Sequence, residues 1–574
     1  MVRSYVRFLR HSDPVHCQWR RGAVLMLLGL IACGAVFLES VAAPGTEPAV
    51  TPGPDKRPNI LLIVVDDLGY SDLGAFGGGD INTPTIDKLA LEGVRLKTFY
   101  TAPTCSPTRA ALLSGTDPHI AGLGNMAELL AENQRNQPGY EGYLNQRVVS
   151  VASLLRDSGY FTAMTGKWHL GLEREQSPAA AGFDRSFALL HGGAGHFDDT
   201  GLLARAPKAL YREDGDLVEW PSGRYSSDFY TEQLIEYLRE NNQHQPFFAY
   251  LAFTAVHWPL QAPDDLLRKY RGRYDGGWDL LRERRLAGQR RVGLLEHPVD
   301  IVPPPGYRPW DTLDADSQRV ESRKMEVFAA MVDSVDQNIR KMIDYFRQSG
   351  ALDNTVIIFL SDNGAEGTPL EKSSLLDGWL ERFDNSLENM GRAGSYIFYG
   401  PSWAHASTAP NKHYKSHVAE GGIHVPAFIW RKDMSTGGAI APAPVTVMDI
   451  APTLLELAGV SYPETYRARP VTPLRGTSLL PLLARPSAPL HGAGTRLAGE
   501  LFGRKSIREG KWKAYLEPAP FGTGKWQLYD LENDPGEVHD LAASNPDVVA
   551  RLTAAWQDYA DEVGVIPPAG PSGY

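Results

Sequence analysis

The chain has 574 residues, 43% of them hydrophobic and 22% charged, with a formal net charge of −11. This is the make-up of a globular protein long enough for one large domain and a smaller one. An acidic chain without basic clusters is excluded from nucleic-acid binding, so an anionic ligand must be held by a few local cations.

The first predicted element spans residues 1–43. Arg3, Arg7, Arg10, Arg20 and Arg21 precede an uncharged stretch from Gly22 to Leu38, and Val41-Ala42-Ala43 leads into a Pro/Gly/Thr-rich linker over 44–56. A basic start, an apolar middle and a small-residue exit predict an export signal, and hence a periplasmic or secreted protein that uses the export machinery. The apolar run also reaches the lower end of the roughly 17 to 25 residues a spanning helix needs, so an uncleaved membrane anchor is the alternative. Leu30-Ile31-Ala32-Cys33 resembles a lipoprotein box and Arg20-Arg21 a twin-arginine signal, both with weak flanks. Cleavage removes five Arg and two acids, taking the net charge from −11 to −14, and it removes Cys17 and Cys33. Cys105 is then the one thiol of the mature chain, and composition alone favours a buried inert Cys over a used one.

Four later apolar runs end in polar groups. Ile60–Val65 stops at Asp66-Asp67, and Tyr160–Met164 leads to Lys167 and His169. Phe247–Phe253 leads to Thr254 and His257, and Thr355–Leu360 stops at Ser361-Asp362-Asn363-Gly364. Runs so rich in β-branched and aromatic residues predict strands buried on both faces. Helices are expected between them at Thr85–Glu92, Ser150–Asp157, Ser227–Glu240 and Val327–Phe346. The alternation predicts an α/β sandwich with a large, mostly parallel sheet over residues 57–495. Ligands of such sheets gather beyond the carboxyl ends of the strands, so the four polar ends would share one rim.

Taken singly, each end has a plainer reading: Asp66-Asp67 as a turn, a solvated His, a surface Lys. Asp66, Asp67, Asp362 and Asn363 offer only oxygen ligands, which suits calcium or magnesium better than zinc. His413 and His417 are four apart, but Gly421-Gly422 nearby predicts a loop, and they carry no assignment.

Cys105 is followed by Ser106-Pro107-Thr108-Arg109 and Ala110-Ala111-Leu112-Leu113-Ser114-Gly115. Pro in a first turn and Gly after a short apolar run bound a helix that starts at Cys105, with Arg109 one turn on. A helix N-terminus favours an anion and is expected to lower the thiol's pKa. Arg109 is too close in sequence for a phosphatase-type cysteine loop, and neither Gly77-Gly78-Gly79 nor Gly522-Thr523-Gly524-Lys525 completes a phosphate-cradling P-loop.

Cys-x-Pro-x-Arg followed by Ala-Ala-Leu-Leu-Ser-Gly resembles the type I sulfatase signature, and Gly159 to His169 is similar to the second one, with Thr165 a mild departure. Asp66-Asp67-Leu68-Gly69, Thr83-Pro84-Thr85-Ile86-Asp87 and Asp362-Asn363-Gly364 fill the remaining landmarks in order. His257 to Pro263 and His413 to Pro426 resemble bacterial arylsulfatases, so the likeness runs from about residue 57 to the C-terminus. The resemblance implies an alkaline-phosphatase-like sandwich and hydrolysis of sulfate monoesters, aryl sulfates foremost. It implies that Cys105 is oxidised to formylglycine by a maturation enzyme. Asp66, Asp67, Asp362, Asn363 and residue 105 would hold the metal, calcium ahead of magnesium. Arg109 and the metal would lower the pKa of the attacking hydroxyl of the hydrated aldehyde, and Asp362 would take its proton. Lys167, Lys415 and His257 would bind sulfate oxygens, with His257 or a Lys protonating the departing alcohol, and His169 would take the second hydroxyl's proton. Phosphonate monoester or phosphodiester hydrolysis by the same machinery is the nearest alternative, and a non-catalytic binding protein is the next. Aromatic segments around Phe197, Trp258, Tyr396 and Trp403 are expected to wall the pocket.

The last segment, residues 496–574, reads differently. Partial alternation over Ser506–Tyr515, a strand at Trp526–Leu531 and a helix from about Pro546 to Glu562 predict a small antiparallel sheet with one helix, and Asn533-Asp534-Pro535 a turn.

Overall fold

A computed structural model describes residues 57–241, 245–492, 494–519 and 521–570. The expected signal or anchor, the linker before residue 57, and Cys17 and Cys33 lie outside the described residues. Strand Asn59–Val65 shows why its apolar run is continuous. Successive side chains of a strand point to opposite faces. Ile60, Leu62 and Val64 enter one core with helices Cys105–Ser114, Val151–Asp157 and Ile450–Ala458. Leu61, Ile63 and Val65 enter a second core with helices Pro84–Glu92, Ser226–Glu240 and Ala315–Ser349. Two apolar faces demand two helical layers, and this sandwich is what the sequence predicted.

Among the described residues the main sheet has ten strands. Thr355–Ser361, Asn59–Val65, Phe247–Ala252, Phe161–Lys167 and Arg185–Leu189 run parallel in that order. Antiparallel pairing begins beyond them, at Ala427–Arg431 on one side and Tyr211–Glu213 on the other. All four strands predicted to carry polar ends are therefore in the parallel block, with those ends on one rim. Helix Ala315–Ser349 starts well before the predicted Val327, because its first turns are almost wholly polar and show no apolar period. Asp314 caps it, accepting from the Ser317 amide at 2.7 Å. Among the described residues no helix is long and apolar enough to cross a membrane.

The C-terminal sheet has four antiparallel strands, Arg496–Leu501, Arg504–Glu509, Trp512–Leu516 and Trp526–Asp530, with helix Pro546–Val563 on one face. The partial alternation over Ser506–Tyr515 is in fact two strands of a hairpin that turns at Gly510, where φ is 58°. Ion pairs fasten this sheet to the main body. Lys513 Nζ lies 2.8 Å from both Glu420 and Glu537. His413 and His417 lie on a loop, as Gly421-Gly422 predicted, with rings stacked 4.5 Å apart. Glu517, just past the third strand, pairs with His417 at 2.5 Å and Arg504 at 2.9 Å. Arg504 also donates to the Ser416 carbonyl at 2.6 Å, so the clasp grips the loop that carries Lys415. With Arg504 already balancing Glu517, we read this cluster as a clasp and not as a metal site.

His119 makes a further tie, with Nδ1 2.9 Å from Asp117 and Nε2 3.5 Å from Glu500. Burial alone would depress this imidazole, but the hydrogen bonds and charges of Asp117 and Glu500 hold its pKa up to about 9. A folded pKa above the unfolded value of about 6.5 gives stability that is complete below 6.5 and lost as pH rises through 9. Thermal melts should fall by on the order of one to three degrees between pH 7 and pH 10 for this reason. His119→Gln should melt lower at pH 7 and lose that part of the slope.

Candidate active site

Cys105 is the first residue of helix Cys105–Ser114, every residue of which is buried, and Gly115 ends it in the left-handed region at φ 67°. Arg109, one turn on, is 0% exposed and gives two donors to Asp362 Oδ2, at 2.7 and 3.0 Å, and a third to the Lys167 carbonyl at 2.8 Å. Lys167 Nζ lies 2.6 Å from Asp66 Oδ2, and Lys415 Nζ lies 2.8 Å from Asp67 Oδ1. Asn363 Nδ2 donates to Asp67 Oδ1 at 2.6 Å. Cys105 Sγ lies 3.4 Å from Asp66 Oδ1, and His257 Nε2 lies 3.8 Å from Asp67 Oδ2. His257 Nδ1 is 2.6 Å from the Trp258 carbonyl, so Nδ1 must be the donor and the Nε2 lone pair faces the carboxylates. The structure thus brings Asp66, Asp67, Cys105, Arg109, Lys167, His257, Asp362, Asn363 and Lys415 into one buried cluster. His169 lines the same small chamber as Cys105, His257 and Lys415.

Electrostatics in this cluster depart from solution behaviour. Burial, with Asp362 and Asp67 close by, raises the Asp66 carboxyl to about 7 against the pull of Lys167. Burial also works against the Asp362 carboxylate, but Arg109, Lys167 and Lys415 outweigh it and hold its pKa below the usual range. One expectation is overturned: the helix start does not lower the Cys105 pKa. Burial and the neighbouring Asp66 push the thiol well up, because desolvation of a thiolate outweighs a helix terminus. Cys105 is held as a neutral thiol. Burial, then Lys415 and Lys167, keep His257 well below the usual histidine pKa.

The donor set fits a hard dication. Ligand atoms of Asp66, Asp67, Asp362 and Cys105 lie within 4.8 Å of one another. Asn363 Oδ1 is buried beside them with no hydrogen-bond partner. An all-oxygen set of carboxylates and an amide is the calcium or magnesium pattern.

Two acids were missed by sequence reasoning. Glu366 Oε2 lies 3.5 Å from Lys415, and Glu128 Oε1 lies 3.0 Å from His169 Nε2. Glu366 is three residues after Asn363, the one signal the chain offers for it; Glu128 sits in the short turn Ala127–Leu129 and carries no pattern. The chamber holds about 40 Å³, and its apolar lining includes Met126, Leu129, Leu202, Leu203, Trp258, Leu370 and Leu376. Of the four predicted aromatic walls only Trp258 lines it. Tyr396 packs behind Trp258 at 6.0 Å, Phe197 packs on Tyr225 at 5.0 Å, and Trp403 is buried in the main core against Trp278 at 5.3 Å. Leucines from a hairpin and from irregular turns take the places assigned to aromatics.

Comparison with known proteins bears on the same residues. The family model described as Sulfatase matches residues 58–460, which span the whole cluster. An uncharacterized sulfatase of Schizosaccharomyces pombe is 45% identical over 89% of this chain and 95% of its own. An arylsulfatase of Klebsiella aerogenes is 36% identical over 74% of this chain and 91% of its own. Among solved structures, Ps i-CgsB in complex with k-i-k-neocarrahexaose superposes with a TM-score of 0.63 at 25% identity, covering 88% of this chain and 93% of that one. A buried oxygen-ligand cluster around a helix-start cysteine, on the rim of a sandwich with these relatives, leaves one conclusion: this chain belongs to the sulfatase family and hydrolyses sulfate esters.

Proposed function

We propose that the enzyme cleaves small aryl sulfates, with Cys105 converted to formylglycine and calcium held by Asp66, Asp67, Asp362, Asn363 and residue 105. The observation that carries this reading is the placement of Cys105. It stands where three carboxylates and three cations converge, yet its thiol is held neutral, so an unmodified Cys would make a poor nucleophile there. When present, the metal and the hydrated aldehyde supply an activated hydroxyl and neutralise charge on the ester.

The chain's own groups do the rest. Lys167 and Lys415 donate to the sulfate oxygens, beside His257, and burial makes each of these contacts stronger than it would be in water. Arg109 is fixed by Asp362 and the Lys167 carbonyl, so its charge is preorganised beside residue 105. Asp362, kept ionised by its cations, is the acceptor for the first hydroxyl proton, and His169 for the second. Lys167 or Lys415 returns a proton to the departing oxygen, since neutral His257 has none to give on its inward nitrogen. With Glu366 included, four carboxylates face three cations, and a dication leaves a formal charge of +1. That complements the single charge of a sulfate monoester. The leucine-rich lining and the Klebsiella arylsulfatase both favour an apolar leaving group over a polar sugar. The leader points to export into the periplasm or beyond, and a formylglycine-generating enzyme is the required maturation partner.

Mass spectrometry of the peptide containing Cys105, taken from active protein, should show the aldehyde; an intact thiol in fully active enzyme would overturn the reading. Parallel kinetics should favour an aryl sulfate over an aryl phosphonate monoester by at least about 100-fold. The reverse preference would make the enzyme a phosphonate hydrolase on the same scaffold.

A further inference from the structure

We propose that Glu128 is a positioning residue for His169: it holds the imidazole as the Nε2–H tautomer and so presents the Nδ1 lone pair to the chamber shared with residue 105. The contact is direct, with Glu128 Oε1 3.0 Å from His169 Nε2. An ionised carboxylate only accepts, so Nε2 must carry the hydrogen. The opposite ring nitrogen, Nδ1, is buried and has no hydrogen-bond partner in the protein. Both side chains line the chamber with Cys105, His257 and Lys415.

The surroundings are built around this pair. His169 has φ 57°, a left-handed conformation that is strained for a non-glycine residue and persists only where its surroundings impose it. Gly192 packs against both partners: a Cβ there would come 2.8 Å from His169 Cε1 and 3.2 Å from Glu128 Oε1. The turn carrying Glu128 is itself held, by Arg205 donating to the Glu128 carbonyl at 3.0 Å and by Asn125 donating to the Leu129 carbonyl at 3.1 Å. The Glu128 side chain is 37% exposed and the His169 ring 7%, so the carboxylate reaches from the surface to a buried imidazole.

The arrangement follows the logic by which an acid orients a catalytic histidine in hydrolases. The proton of the hydroxyl remaining on residue 105 would pass to Nδ1 as the C–O bond to sulfate breaks, so that the aldehyde re-forms and sulfate leaves; the ring becomes an imidazolium, and the Glu128 carboxylate balances the new charge. The other charged and titratable groups acting on this ring are Lys167 and Arg109, which oppose protonation, and the imidazole of His191. Burial is the largest of these opposing effects and, with the two cations, leaves the His169 pKa below its usual value; Glu128 is the group that works against that fall. The catalytic consequence rests on the reading of residue 105 given above; the tautomer does not.

Two variants and one spectroscopic measurement test this. Glu128→Ala should lower kcat roughly 30- to 300-fold with KM within about twofold, and should move the acid limb of the kcat profile to lower pH, because the anion that raises the His169 pKa is gone. Glu128→Gln keeps an acceptor oxygen but no charge, so it should recover most of kcat while retaining the shifted limb. Nitrogen NMR of histidine-labelled full-length protein should show His169 as Nε2–H in the wild type and in Glu128→Gln, and a changed tautomer in Glu128→Ala. An Nδ1–H tautomer in the wild type, or a Glu128→Ala enzyme with unaltered kcat, pH profile and spectrum, would overturn the proposal. The NMR reading does not depend on turnover, so it decides the role of Glu128 even in protein whose Cys105 proves unmodified.

Discussion

Cys105→Ala is expected to reduce kcat for an aryl sulfate by about 10⁵-fold or more, with little change in fold. Removing a covalent catalytic group leaves only what binding and electrostatics supply, and measured losses of that kind reach about 10⁴ to 10⁶. The structural cost should be small. The side chain makes one hydrogen bond, to Asp66, and the helix it begins is held by the packing of Ala110, Leu112 and Leu113 and by its Gly115 terminus. Loss of a single buried sulfur should cost about 1 kcal/mol. Steady-state kinetics beside a thermal melt would separate the two effects. A variant that keeps more than a few per cent of wild-type kcat would place the reacting group elsewhere.

Asp362→Ala should be nearly as damaging to activity and far more damaging to stability. Its carboxylate is 0% exposed and is the partner of Arg109, which is also 0% exposed. Truncation leaves a guanidinium buried without its counter-charge, a change that costs about 3–5 kcal/mol. In the mechanism proposed above it also removes a metal oxygen and the proton acceptor, so kcat should fall by at least about 10³-fold. Calcium provides an internal control. In the wild type, chelation should abolish turnover, and added calcium should restore it and raise the melting temperature, because a ligand bound only to the folded state stabilises that state. Asp362→Ala should lose the calcium-dependent rise as well as the activity. A variant whose melt still responds fully to calcium would show that Asp362 is not a ligand.

Much of the site is legible in the chain because its groups follow hydrophobic runs. A strand buried on both faces announces itself as six or seven apolar residues, and the polar residue that ends the run must lie on the rim. Asp66, Lys167 and Asp362 are found in that way. The helix from Cys105 is equally readable, from Pro107 near its start and Gly115 at its end. Glu128 is not, because it belongs to a three-residue turn in an irregular polar segment. The short outer strands escape for a related reason: at two to five residues each, Tyr211–Glu213 and Ile440–Ala441 among them, they are too short to show a period. The pocket walls were misassigned because aromatic residues are as often core as lining, and Trp403 went to the core.

By itself, the sequence determined which chemical groups this protein places at the ends of its strands, and that Cys105 begins a helix with an arginine one turn away. Those are local facts, set by burial on two faces of a strand and by the boundary chemistry of a short helix. Only the tertiary structure decided how the groups pair: Arg109 with Asp362 across 253 residues, Lys415 with Asp67 across 348, and Glu128 with His169 across 41. It also decided that the Cys105 thiol is held neutral, which a helix start alone would not predict. Pairing and desolvation depend on which segments pack together, and no spacing along the chain contains that information.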